Sequence, residues 1–144
     1  MRAERSPKQI GLAIVGAGRI GLIRGEIAAK HPNVGWIGVA EIRADRAKEV
    51  AERIGADFVT TDYRELLARP EATAAVIATD ENAHVDPILA AIDRRLDLLI
   101  EKPLATDLKE SARVLAAIQQ SGVDAVVGYT QRFRRRFLVA KEKV

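Results

Sequence analysis

Leu12-Ala13-Ile14-Val15-Gly16-Ala17-Gly18-Arg19-Ile20-Gly21 decides how the rest of this chain is read. A short apolar run ends in glycines spaced G-x-G-x-x-G, and each glycine has its own task in a strand–turn–helix unit. Gly16 permits the tight turn off the strand. Gly18 has no Cβ, so a pyrophosphate can approach the backbone, and Gly21 lets the following helix pack close to the strand. The unpaired N–H groups of that helix start, with the positive end of its dipole, form an anion site. Ile10 to Val15 reads as a buried strand, and Ile20, Ile23, Ile27 and Ala28 give the next segment an apolar stripe at helical spacing. A second apolar run, Val34 to Ala40, ends in Glu41, about 20 residues past the last glycine, where a carboxylate can take the ribose hydroxyls of a dinucleotide.

Outward from this unit, strand and helix signals alternate, the pattern of a parallel sheet covered on both faces. Ala47, Val50, Ala51 and Ile54 mark a second helix that Gly55 stops. A short strand at Asp57 to Thr60 and a brief helix at Asp62 to Ala68 follow. Ala74 to Ala78 is a fourth strand, with the polar loop Thr79-Asp80-Glu81-Asn82 at its end. A helix from Val85 to Arg94 and a fifth strand, Leu96 to Ile100, lead into Glu101-Lys102-Pro103. Asp107 and Glu110 read as an N-cap and its N3 partner, with Leu108, Ala112, Leu115 and Ala116 as the buried stripe of the next helix. Val123 to Tyr129 is the sixth strand. The expected fold is α/β, a doubly wound parallel sheet (Rossmann fold) in three α/β/α layers, with its ligand crevice where the winding reverses. Residues 1–130 form that domain and 131–144 a basic C-terminal segment.

Composition excludes several classes. The 144 residues contain no cysteine and two distant histidines, so disulfide scaffolds and thiolate metal sites are ruled out and no metal is expected. No apolar run approaches the ~20 residues of a bilayer span, and the polar N-terminus lacks a signal-peptide core, so a cytoplasmic protein without membrane contact is expected. The net charge of +3 conceals an asymmetry: residues 131–144 carry +5 and the remainder −2. A basic tail on an acidic body does not argue for nucleic-acid binding. Phe133, Phe137, Leu138 and Val139 lie among the tail's arginines, and this apolar edge points to a homo-oligomer.

Four motifs in order, Gly-Ala-Gly-Arg-Ile-Gly at 16–21, Ala-Thr-x-x-Asn-x-His at 78–84, Glu-Lys-Pro at 101–103 and Val-Gly-Tyr-x-x-Arg-Phe at 127–133, resemble the N-terminal domain of the Gfo/Idh/MocA oxidoreductases. The resemblance covers residues 8–138. It implies NAD, with NADP as the alternative, bound across the strand ends, and hydride exchange at a sugar or polyol carbon. Lys102 would be the catalytic lysine and Glu101 would line the nicotinamide pocket. Asn82 and His84 would lie on the loop under the cofactor, and Arg132 would face the substrate. Together with the residues that follow each strand, the cofactor-binding set is Gly16, Gly18, Arg19, Ile20, Gly21, Glu41, Arg43, Thr79, Asp80, Asn82, His84, Glu101, Lys102 and Arg132. Glu41 favours NAD by repelling a 2′-phosphate, whereas Arg43 or Arg46 could admit NADP. Two departures stand out. Asp80 replaces the family's usual proline, and members of the family continue into a second α+β domain bearing substrate contacts and an aspartate/histidine pair. This chain is therefore expected to be catalytically incomplete, the alternative being a non-catalytic dinucleotide-binding or sensing module, or a subunit completed by a partner.

Overall fold

The computed structural model describes residues 9–143. The polar N-terminal stretch before Gln9 and the terminal Val144 lie outside the described residues. Six strands form one all-parallel sheet: β1 (Ile10–Val15), β2 (Val34–Ala40), β3 (Phe58–Thr60), β4 (Ala74–Ile77), β5 (Asp97–Ile100) and β6 (Ala125–Val127). Their order across the sheet is β3-β2-β1-β4-β5-β6. The sheet is doubly wound, as the alternation of signals predicts, and its winding reverses between β1 and β4. The sixth strand is shorter than the expected Val123 to Tyr129.

The helices are α1 (Arg19–Ala28), α2 (Ala44–Ile54), α3 (Tyr63–Leu67), α4 (Val85–Asp93), α5 (Leu108–Ser121) and α6 (Arg135–Glu142). One face of the sheet packs against α1 and α2 through Ile14, Ile37, Val39, Val50 and Ile54. The other face carries the larger core, in which Ala75, Ile77, Leu98 and Ile100 meet Leu66, Ile88, Ala91 and Val114. Helix ends follow their chemistry: Asp62 and Asp107 accept from the N–H groups of Arg64 and Glu110, and Gly55 and Gly122 close α2 and α5 in the left-handed region. No helix among the described residues is long and apolar enough to cross a membrane.

Two expected stripes turn out differently. On α1 the buried positions are Gly21, Gly25 and Ala28, while Ile20, Ile23 and Ile27 are 36%, 41% and 60% exposed. The helix meets the sheet through its glycines, and a Cβ at Gly25 would stand 2.8 Å from Ile54 Cδ1 and 3.2 Å from Ile14 Cδ1. Close approach, not side-chain volume, is what this interface selects. On α5, Val114 is buried with Ala117 and Ile118 beside it, whereas Leu108 and Leu115 are 85% and 52% exposed and Ala112 and Ala116 are also exposed. Both sets fit a 3.6-residue period, and contact with α4 selects the first.

Helices α1 and α2 leave the β5–β6 half of their face bare. There Leu99 is half-buried and Val126 60% exposed, beside an apolar hollow of about 590 Å³ that also touches Leu12, Ile27 and Val76. The tail forms a 3-10 turn (Thr130–Phe133) and then α6, whose Phe137, Leu138 and Val139 are about half exposed.

Candidate cofactor site

The ladder of hydrogen bonds runs one residue beyond the strands and lines up the site. Gly16 N–H donates to Ala40 O (2.8 Å), Ala78 N–H to Val15 O (2.8 Å), Glu41 N–H to Thr60 O (3.1 Å), Glu101 N–H to Ile77 O (2.9 Å) and Gly128 N–H to Ile100 O (2.7 Å). Glu41, Gly16, Ala78, Glu101 and Gly128 therefore stand in a row along the carboxyl edge of the sheet. A cavity of about 230 Å³ opens at the reversal point, between the ends of β1, β2 and β4. Gly16, Glu41, Ile42, Tyr63, Thr79 and Asp80 are among the residues that line it. The larger hollow on the bare sheet face lies away from this edge and is apolar, so the polar crevice is the candidate ligand site.

Within the glycine turn the three tasks separate. Gly16 has φ +93°, a conformation L side chains rarely adopt, and the Ala78 carbonyl lies where its Cβ would go. A Cβ at Gly21 would fall on the Gly16 carbonyl oxygen. At Gly18 a Cβ meets nothing within 4 Å, and its backbone (φ −67°, ψ −167°) is open to any residue. Gly18 is thus not required by the protein's own packing. It is the N-cap of α1 and offers no side chain to the first turn, which also lacks an acidic residue. Arg19 and Ile20 are exposed in that turn. In contrast to α3 and α5, where an aspartate occupies the helix start, α1 leaves its N–H groups open to an outside anion. The cradle fits a pyrophosphate, and the buried Thr79 hydroxyl, which has no hydrogen-bond partner, lies at the same cavity.

Glu41 is bound into the turn. Its Oε2 accepts from Ala17 N–H (2.9 Å) and its Oε1 from Arg43 N–H (3.2 Å). A carboxylate has about four acceptor positions, so capacity remains for two hydroxyls. Of the two arginines considered beside it, Arg46 is committed elsewhere: its Nε donates to Ala17 O (2.8 Å) and its Nη1 pairs with Glu49 (2.9 Å). Arg43 is exposed and remains near Glu41 as the N-cap of α2. Tyr63 completes the wall, and burial pushes its phenol above the ordinary range.

Asp80 opens the loop after β4 as the N-cap of a short turn. Its Oδ1 accepts from both the backbone N–H (3.1 Å) and Nδ2 (3.0 Å) of Asn82, capping a 3-10 turn over Glu81–Ala83. Asp80 and Asn82 thus shape this loop through each other. His84 is 1% exposed, its Nε2 lies 3.3 Å from Thr79 O, and its Nδ1 is buried without a partner. It holds the loop from the inside rather than presenting an imidazole to the crevice.

At the end of β5, Lys102 is exposed and forms no ion pair among the described residues, and the Lys102–Pro103 peptide is cis. Glu101 is 12% exposed and bound by Arg24 of α1, a partner its local sequence does not announce. Arg132 lies in the 3-10 turn that follows β6. It is exposed and lines a groove with Gln131, Phe137, Leu138 and Lys141 of the tail, apart from the crevice residues.

Comparison with known proteins agrees with this geometry. A family model described as an oxidoreductase family with an NAD-binding Rossmann fold, GFO_IDH_MocA, matches residues 10–129. An uncharacterized oxidoreductase, YrbE, of Bacillus subtilis (strain 168) is 33% identical over 130 residues, covering 90% of this chain and 38% of that protein. The myo-inositol 2-dehydrogenase of Thermotoga maritima is 27% identical over 133 residues, 92% of this chain and 40% of the enzyme. The crystal structure of GenD2 from gentamicin A biosynthesis in complex with NAD superposes with a TM-score of 0.88 at 26% identity, covering 99% of this chain and 41% of that one. The chain thus spans about 40% of the length of these relatives.

Proposed function

The chain belongs to the Gfo/Idh/MocA oxidoreductase family, and from that premise we propose that it is the NAD-binding domain of a dehydrogenase acting on a sugar or polyol. The observation that carries this reading is the crevice itself, where an uncapped helix start, an unobstructed Gly18 and the Glu41 carboxylate share one edge. Bound NAD supplies the hydride acceptor. Gly16 to Gly21 would hold its pyrophosphate by backbone N–H groups, Glu41 its adenosine ribose, and Thr79 would donate or accept at the loop after β4.

Lys102 stands beyond the crevice on the same edge. Its ammonium donates a hydrogen bond to a substrate hydroxyl and stabilises negative charge as it grows on that oxygen. Among the described residues Lys102 has no hydrogen-bonded or ion-paired partner, so no second acid–base group, which typically contributes a further 10²–10⁴-fold, is held beside it. The 144-residue chain is therefore expected to bind NADH in calorimetry and to show little or no NAD reduction with inositols or glucose. Absence of NADH binding would refute the cofactor reading; robust turnover abolished by Lys102→Ala would refute the incompleteness.

The preferred cofactor in this reading is NAD. Glu41 has acceptor capacity for a free 2′-hydroxyl and repels a 2′-phosphate, while Arg46 is tied to Ala17 and Glu49. Glu41→Ala removes a charge-assisted bond from one ligand and a repulsion from the other. Each 1.4 kcal/mol is a factor of ten, so the ratio of NAD to NADP affinity should fall by at least about tenfold. Titrating both cofactors against the variant checks this, and an unchanged ratio would mean Glu41 does not face the ribose.

A further inference from the structure

Arg24 and Glu101 lie 77 residues apart and form the shortest ion pair across the carboxyl edge of the sheet. Arg24 Nε donates to Glu101 Oε1 at 2.6 Å and Nη2 reaches the same oxygen at 2.5 Å. Both side chains are largely buried, at 24% and 12% exposure. Glu101 has little freedom to turn away. Its backbone is fixed by the bond to Ile77 O, and its Oε2 lies against Gly128, where an added Cβ would come within 3.0 Å of it. The carboxylate is wedged between α1 and the ends of β5 and β6.

The charges of this edge explain why the pair matters. Glu41, Asp80 and Glu101 put three carboxylates along the strand ends, and a dinucleotide brings two more negative charges to the start of α1. Arg24 sits five residues past Arg19 on that helix, about 7–8 Å along its axis at the ordinary rise per residue. A bare carboxylate on Glu101 would stand within roughly a Debye length of the pyrophosphate cradle, in a half-buried setting where screening is incomplete.

We propose that Arg24 is the counter-ion that admits the anionic cofactor: it cancels the Glu101 charge at the end of β5, on the strand edge that also carries the crevice, and locks that carboxylate beside the Glu-Lys-Pro turn. Arg24 acts through Glu101 and so is a positioning residue. The idea rests on the NAD reading above and deepens it. It makes a prediction that simple loss of packing does not make, since removing the second charge should repair removal of the first.

NADH titrations of the full chain, at low and high salt, test this on Arg24→Gln, Glu101→Gln and the double variant. Arg24→Gln is expected to weaken NADH binding about tenfold at low salt, and by less at about 0.5 M salt. Glu101→Gln removes the charge but keeps an acceptor oxygen toward the nicotinamide pocket, so it should bind NADH at least as tightly as the parent at low salt, and a clear loss of affinity overturns the proposal. The double variant, a neutral pair of nearly the same shape, should return to within about twofold of the parent, and it decides the matter even if Arg24→Gln alone does not fold. An Arg24→Gln variant that binds like the parent overturns the proposal. So does a double variant well below the parent in affinity. A parent chain that fails to bind NADH would instead overturn the cofactor reading, and this proposal with it.

Discussion

Gly18→Val should lose NADH binding by at least about 100-fold while melting at the parent's temperature. The two halves of this result come from one observation. A side chain at residue 18 meets nothing of the protein within 4 Å, and the backbone there, at φ −67° and ψ −167°, is ordinary for valine. The fold therefore has no use for a glycine at this position. A pyrophosphate does, because it must come within hydrogen-bond distance of the N–H groups that open α1, and a branched side chain would occupy that approach. Losing two charge-assisted hydrogen bonds, at about 1.4 kcal/mol each, already amounts to a hundredfold. Calorimetry with NADH and a thermal melt of the same sample check both halves. A valine variant that binds like the parent would remove the anion site from the start of α1, and with it the dinucleotide assignment. One that unfolds would mean that Gly18 serves the fold instead.

The parts of the fold that are legible in the sequence are those whose cause is local. The glycine turn, the apolar runs and the cap at Asp107 each depend on neighbours within a few residues, and each stands where its signal places it. The alternation of helices and strands implies a doubly wound sheet with a crevice where the winding reverses, whereas the strand order that puts this point between β1 and β4 comes from the structure. What escapes depends on distant partners. The isoleucines of α1 and the leucines of α5 make periodic stripes as good as the true ones, but Gly25 and Val114 face inward because of what lies opposite. His84 and Asp80 lie on the expected loop, yet burial and a bond to Asn82 turn both to shaping it. Arg24 shares α1 with two other charged residues, Arg19 and Glu26, so its charge alone does not single it out. Nothing near it names Glu101. Arg46 has the charge and the position of a phosphate ligand in the sequence, and its bond to Ala17 O withdraws it.

Gly21→Ala should fail in the opposite way to Gly18→Val, by unfolding the domain rather than sparing it. Two terms compete at this position. Alanine is the better helix former by about 1 kcal/mol, and Gly21 lies inside the first turn of α1, so propensity alone favours the substitution. Against this, the new Cβ would collide with the Gly16 carbonyl, while Ile14 Cγ2, at 3.6 Å, is in ordinary contact. The obstruction is backbone, which no rotamer change can clear. It belongs to a residue held at φ +93° and bonded through its N–H to Ala40 O, so the turn cannot yield without loosening the β1–β2 edge. Overpacking a core against movable side chains costs typically about 1–3 kcal/mol, and a fixed carbonyl belongs at the upper end of that range or above it. The collision wins, with a net loss of about 2 kcal/mol or more out of the roughly 5–15 kcal/mol that a domain of this kind possesses. Urea denaturation of the ligand-free chain measures it directly. A midpoint equal to or above the parent's would mean that α1 can ride away from the strand, and that the third glycine of the motif is not what sets their separation.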